Sequence, residues 1–245
     1  NVAKAEMAVK QFDLQYRISP FTPYCLTLYT STDCNLDCSY CYSGNKDLKS
    51  DINLDLVSIR KAAEIVADTC KKASLPMCVV FHGGGEPLID SRLPKIWDCI
   101  HETASIQDVK ISSYIATNGV VSEKAVKWAA DHIDQIGLSC DGYPDVQNRQ
   151  RPGRNGDQTS SFIERTANIL RDQNKKIIIR ATVTKKSCSQ IPETIRYFCD
   201  TLHANEIHLE PVFSRLDSSP MNDFSFRDTA FFCRQFVSGK ELASQ

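Results

Sequence analysis

The sequence has no excess of charge of either sign. Its 245 residues carry 29 Lys and Arg against 30 Asp and Glu, for a formal net charge of -1. That balance leaves no basic footprint for nucleic acid or an anionic membrane surface. No apolar run approaches the ~20 residues needed to span a bilayer. The opening Asn1-Val2-Ala3-Lys4-Ala5-Glu6 has no basic segment and no apolar one behind it, so it offers no secretory signal. It also lacks an initiator Met, which points to a processed chain or an excised piece. There is no short fixed-period repeat and no low-complexity tract. Hydrophobic residues make up 42% and charged residues 24%, a globular balance that argues against disorder. The expectation is a folded cytoplasmic chain, long enough for one large domain or two small ones.

Cysteine is the abundant exception, with 11 residues, an odd number. A secreted disulfide scaffold would be shorter and Cys-dense throughout, so the pattern reads as that of a reducing compartment. Cys78, Cys99, Cys199 and Cys233 sit beside Val, Ile or Phe, as small buried hydrophobes do. Cys70 and Cys188 have polar neighbours but no second Cys at ligand spacing. The clustered Cys34, Cys38 and Cys41 are therefore metal ligands or reactive thiols.

Short β-rich runs alternate with longer helical patterns. The expected strands are Tyr24 to Thr30, Met77 to Phe81, Lys110 to Ala116, Gln135 to Ser139, Ile177 to Thr184 and Glu206 to Phe213. Continuous apolar stretches such as Cys78-Val79-Val80-Phe81 suit strands buried on both faces. Helices are expected over Leu56 to Lys72, Leu93 to Thr103, Ser122 to Asp131, Ser160 to Asp172 and Gln190 to Leu202, with a last one near Phe226 to Phe236. In the first of these, Leu56, Ile59, Ala63, Val66 and Cys70 share one apolar face, and Asn53 or Asp55 can cap its start. Six such units form a parallel sheet with right-handed crossovers. Eight would be needed to close a barrel. The expected fold is thus α/β, a partial, open (β/α)6 TIM-like barrel with functional loops at the carboxyl ends of its strands. A core over 22–213 would follow an N-terminal lead-in of 1–21 and precede a helical extension over 214–245. The stretch from Asp141 to Asp157, with Arg149, Arg151 and Arg154, reads as a polar functional loop.

The segment Cys34-Asn35-Leu36-Asp37-Cys38-Ser39-Tyr40-Cys41 follows the first strand and reads C-x3-C-x-aromatic-C. Structural zinc takes four protein ligands, and the nearest His, His82, has no partner at ligand spacing. A 4Fe–4S cluster normally takes four Cys. Three without a local fourth leave one iron open, like the open position of a catalytic metal site.

This triad, placed after the first strand of a six-unit pattern, resembles the radical S-adenosylmethionine (SAM) superfamily. Further motifs follow in the family's order: Phe81-His82-Gly83-Gly84-Gly85-Glu86-Pro87 after the second strand, Thr117-Asn118-Gly119 after the third, and Ser139-Cys140-Asp141-Gly142 after the fourth. The likeness extends to Ile179 to Thr184 and Ile207 to Pro211, and so covers about residues 22 to 213. The S-x-D-G followed by an Arg-containing loop is similar to the branch of peptide and protein maturases, which includes the anaerobic sulfatase-maturating enzymes. Members of that branch carry a C-terminal Cys-rich domain for auxiliary clusters; only Cys233 follows Cys199 here, so none can be built from this chain. Cys140 replaces the motif's usual aliphatic residue and reads as a buried neighbour.

The resemblance implies an enzyme whose 4Fe–4S cluster is held by Cys34, Cys38 and Cys41 and chelates SAM at its fourth iron. Reductive cleavage of SAM would yield a 5′-deoxyadenosyl radical that abstracts hydrogen from a peptide or protein side chain. The implied partners are that substrate and a reducing donor of flavodoxin or ferredoxin type, with neither nucleic acid nor membrane. A small-molecule substrate, or a noncatalytic Fe–S or zinc module, are the alternatives. Gly83, Gly84 and Gly85 remove side chains where backbone must approach a ligand, and Glu86 can accept from the SAM ammonium. Ser139 fits either a contact to the ribose or carboxylate or a loop cap. Asn118 fits a cofactor contact or an Asx-type turn, with the turn favoured. Asp141 belongs to the segment that approaches the ribose. Arg151 can reach the SAM carboxylate or a peptide carboxyl, or be an ordinary loop Arg. Val183 and Leu209 resemble positions flanking the adenine, and Tyr40 can pack on the cofactor or only on the barrel.

Overall fold

A computed structural model describes residues 21–41, 43, 54–212 and 226–244. The lead-in over residues 1–20 and the stretch 213–225, with the expected end of the sixth strand at Phe213, lie outside these. Six strands form one sheet in chain order, every adjacent pair parallel. They are β1 (Cys25–Leu28), β2 (Met77–Phe81), β3 (Ile111–Thr117), β4 (Gln135–Ser139), β5 (Ile177–Val183) and β6 (Glu206–Pro211). Among the described residues β1 and β6 do not pair, so the sheet is open.

The helices connecting the strands are α1 (Leu56–Ala73), α2 (Leu93–Ile106), α3 (Glu123–His132), α4 (Pro144–Gln150), α5 (Ser160–Asp172) and α6 (Ile191–Asp200), and α7 (Phe226–Ala243) follows β6. Asp55 caps α1, its carboxylate accepting from Ser58 N at 2.9 Å and Ser58 Oγ at 2.7 Å. Ser122 caps α3 in the same way, accepting from Ala125 N. Two elements depart from the sequence reading. The polar stretch after Asp141 contains α4, whose Val146, Gln147 and Gln150 are buried. The last helix runs on to Ala243.

Strand alternation sorts the side chains. Met77, Val79, Phe81, Ile115, Ile136, Leu138, Ile179 and Ala181 pack with Ile59, Ala63, Val66, Ile96 and Ile100 in a single apolar core. Among the intervening residues of β2 to β5, Val80, Tyr114, Arg180 and Thr182 are half-buried. Gly137 makes room on that second face, because a Cβ there would overlap the Tyr114 hydroxyl. The scattered cysteines are mixed in environment: Cys70, Cys99, Cys140 and Cys188 are buried, Cys78 and Cys199 half-buried, and Cys25 and Cys233 exposed. Cys233 on α7 is thus not the buried hydrophobe that its Phe neighbour implied.

Candidate active site

The loop after β1 carries Cys34, Cys38 and Cys41 to a cavity of about 480 Å³ at the carboxyl ends of the strands. Backbone bonds hold this loop from two sides. From the β2 side, Gly85 N donates to Ser31 O at 2.7 Å and Glu86 N to Asp33 O at 2.8 Å. From the other side, Leu36 forms an antiparallel bridge with Gly153. Asp37 N donates to Pro152 O at 2.9 Å, and Ser39 N donates to Gln150 O at 3.0 Å. The glycine run makes the first contact possible. Gly83 and Gly84 have φ of 89° and 72°, and a Cβ at Gly85 would collide with the backbone carbonyl of Asp33.

All three thiols line the cavity. Among the described residues, no three His, Cys, Asp or Glu side chains converge to hold a single metal ion. Three thiols carried by one loop to one cavity are a donor set that suits an iron–sulfur cluster. Asn118 Nδ2 lies 3.7 Å from Cys34 Sγ, the kind of sulfur contact that tunes such a centre. Burial pushes the Cys38 thiol up to about 12, against the opposing pull of Arg151, and it also raises Cys34, against the Leu36 amide. Loading a metal centre must therefore expel protons.

Glu86 is buried at the cavity wall, 2% exposed. Its Oε1 accepts from Leu88 N at 3.0 Å and Thr117 Oγ1 at 2.7 Å, and Oε2 accepts from Asn118 N at 2.6 Å. Burial nonetheless raises its carboxyl to about 7, outweighing those three donors. Asn118 forms the expected turn, its Oδ1 accepting from Val120 N at 2.8 Å, while Nδ2 donates to Asn35 Oδ1 at 2.9 Å and lies against Cys34 Sγ. Ser139 is half-buried on the cavity wall, and its hydroxyl has no hydrogen-bond partner among the described residues. It caps nothing, which leaves it available to a ligand.

Asp141 is placed otherwise than the sequence suggested. Its side chain is 0% exposed, and all four of its contacts are to protein. Oδ1 accepts from Arg151 Nε and Thr182 N, both at 2.9 Å, while Oδ2 accepts from Tyr40 OH at 2.6 Å and Gln150 Nε2 at 2.8 Å. Arg151 also stacks over the Tyr40 ring at 5.4 Å. Burial opposes the Arg151 charge, but Asp141 and the neighbouring Tyr40 hold its pKa well above the usual value. Only Nε of that guanidinium is engaged among the described residues, and the side chain lines the cavity. Val183 and Leu209 face away: Val183 is 3% exposed in the core and Leu209 packs against it, whereas their neighbours Thr182 and Glu210 line the cavity.

Sequence alone places His82 near the cysteine loop as a polar orienting residue but gives no role to Arg180 or Glu210, which also line the cavity. Arg180 Nη1 donates to His82 Nε2 at 2.7 Å and Nη2 to Glu210 Oε1 at 2.9 Å, bridging β2 to β6 across the open barrel. Burial, then the Arg180 charge, lowers the His82 pKa, so the ring is neutral at pH 7 with its proton on Nδ1. The signal was available. Arg180 and Thr182 are polar residues two apart in an otherwise apolar strand, which puts both on the face opposite the core.

Comparison with known proteins agrees with this geometry. A Clostridium perfringens protein named a cysteine-type anaerobic sulfatase-maturating enzyme is 24% identical over 173 residues, 69% of this chain and 46% of its own length. A probable GTP 3',8-cyclase from Methanococcus maripaludis is 26% identical over 216 residues, 85% of this chain and 68% of its own. The solved structure of native anSMEcpe with bound AdoMet and the Cp18Cys peptide superposes with a TM-score of 0.76 at 20% identity, covering 88% of this chain and 59% of that one. The chain spans about half the length of the first curated relatives that it matches. The sequence profile of the Radical SAM superfamily matches residues 28–198. The chain therefore belongs to the radical SAM superfamily, enzymes that work with a 4Fe–4S cluster and S-adenosylmethionine.

Proposed function

We propose that this chain is the core of a radical SAM enzyme that modifies a peptide or protein side chain. The observation that carries the reading is the shared cavity, in which three thiols, a glycine cradle, a buried carboxylate and a half-free guanidinium line one wall system. When bound, the cluster and SAM supply one-electron cleavage of a carbon–sulfur bond, giving methionine and a 5′-deoxyadenosyl radical that takes hydrogen from substrate. The chain's own residues orient and shield. Cys34, Cys38 and Cys41 would hold the cluster. Gly83, Gly84 and Gly85 admit the methionyl end of SAM to the backbone, and Glu86 accepts from its ammonium. The Nη groups of Arg151, unengaged among the described residues, meet its carboxylate. Ser139, whose hydroxyl has no partner among the described residues, offers it to the ribose. Tyr40 borders the adenine.

Substrate approaches the side of the cavity lined by Arg180 and Glu210, with His82 between it and the glycine cradle. Relatives named as sulfatase-maturating enzymes, and a structural neighbour with a bound peptide, support a peptide. Relatives named as a GTP cyclase and an Fe-coproporphyrin III synthase favour the second reading, a small-molecule substrate. The reaction also needs an external one-electron donor of flavodoxin or ferredoxin type. The test is anaerobic turnover with SAM and dithionite, with candidate peptides carrying deuterated side chains. Deuterium entering 5′-deoxyadenosine from a peptide supports the reading. Its entry only from a small molecule would favour the second, and failure to cleave SAM would reject both.

A further inference from the structure

The buried Asp141 carboxylate joins two residues that the proposed function uses separately. Tyr40 lies within the cysteine loop, two residues after Cys38 and directly before Cys41. Arg151 follows α4 and turns its guanidinium toward the cavity. We infer that Asp141 is a positioning residue that holds the cysteine loop and the cavity-facing guanidinium in register with each other and with the end of β5. The inference rests on the proposed function only where SAM is concerned.

Each oxygen of Asp141 has a division of labour. Oδ2 takes the Tyr40 hydroxyl at 2.6 Å and the Gln150 amide at 2.8 Å. Oδ1 takes Arg151 Nε at 2.9 Å and the backbone N–H of Thr182 at 2.9 Å. Gln150 extends the tie, donating also to Thr182 O at 3.0 Å and accepting from Thr184 Oγ1 at 2.8 Å. The backbone of Asp141 is itself set by α4, its N–H donating to the buried Gln147 Oε1 at 2.9 Å. The segment after α4 then runs antiparallel to the cysteine loop, with Leu36 opposite Gly153. All four partners of the carboxylate are donors, so both of its oxygens are fully occupied as acceptors. Nothing remains of it for a ligand. It acts on the cofactors through Tyr40 and Arg151.

Two single substitutions separate the arms while leaving Asp141 in place. Tyr40→Phe removes the loop anchor, and Arg151→Lys removes the fork that Asp141 orients. In the apoprotein, amide hydrogen exchange over residues 34–41 should speed up by about tenfold in Tyr40→Phe, as expected for loss of one charge-assisted hydrogen bond, and stay at the wild-type rate in Arg151→Lys. In the reconstituted protein, Arg151→Lys should weaken SAM binding by about tenfold at unchanged iron content. Asp141→Asn should show both defects, and adding Tyr40→Phe to it should not speed loop exchange further. Wild-type exchange over 34–41 in both Tyr40→Phe and Asp141→Asn would overturn the inference, as would additive effects in the double variant. If the wild-type protein binds no SAM, the proposed function falls while the exchange arm still decides the role of Asp141. If Asp141→Asn does not fold, the two single substitutions decide alone: separate defects support the inference, and wild-type behaviour in both overturns it.

Discussion

Replacing Glu86 by Gln removes one charge from the most buried acid of the cavity and leaves its shape unchanged. Burial holds this carboxyl at about 7 in the free protein, against an ordinary 4.5. It is therefore about 90% ionised at pH 8 and about 10% at pH 6. If the ammonium of SAM is bound by the carboxylate, the observed affinity scales with the ionised fraction and falls about tenfold between those two values. Gln has no charge to lose. Its amide can still accept from Leu88 and Thr117 through Oε1, but its NH2 then faces the Asn118 N–H. The loss of a charge-assisted bond, about 1.5–3 kcal/mol, puts Glu86→Gln some tenfold or more below wild type at pH 8. At pH 6 the two proteins should converge. The amino group of SAM titrates identically for both, so the ratio of their affinities isolates Glu86. Anaerobic calorimetric titration with SAM at pH 6, 7 and 8, at matched iron content, measures that ratio. A ratio that stays constant across the range would refute the assignment, since Glu86 would then act only as a brace between β2 and β3.

The same acid also shapes stability. Its folded pKa lies above its ordinary value, so the folded state binds the proton more tightly; the cost is absent below about 4.5, grows as pH rises, and is complete above about 7, at about 3 kcal/mol. Urea unfolding of the apoprotein at pH 5 and pH 8 should show a larger loss of stability in wild type than in Glu86→Gln, and equal losses would contradict the raised pKa. Ala at Cys34, Cys38 or Cys41 should lower iron and sulfide together, whereas Ser at the exposed Cys25 or Cys233 should leave both unchanged, as elemental analysis after anaerobic reconstitution will show. Gly85→Ala drives a methyl into the Asp33 carbonyl and must displace the cysteine loop, so cluster loading should fall well below wild type while circular dichroism keeps its α/β signature.

The alternation of strands and helices was legible because it is written locally, in apolar periodicity and cap residues that each act within a few positions. The triad and the glycine run were legible for the same reason, each being a short segment whose chemistry does not wait for a partner. Tertiary structure decided the rest. Tyr40 and Asp141 lie 101 positions apart, and Arg180 and His82 lie 98 apart; no local pattern encodes such pairings. Asp141 thus changed from a ribose-side residue to a buried anchor once its four donors assembled around it. Helix α4 escaped notice because its polar residues, Gln147 and Gln150, are buried only through bonds to Asp141, Thr159, Thr182 and Thr184. Val183 and Leu209 sit in strands where apolar residues crowd together, so the facing side is set by strand register and by polar neighbours. Sequence determined which residue types the loops would carry to the rim. Their division between cofactor contact and loop support follows from burial, which only the packed chain can set, because a carboxylate or guanidinium removed from water must take its partners from whatever the fold brings near.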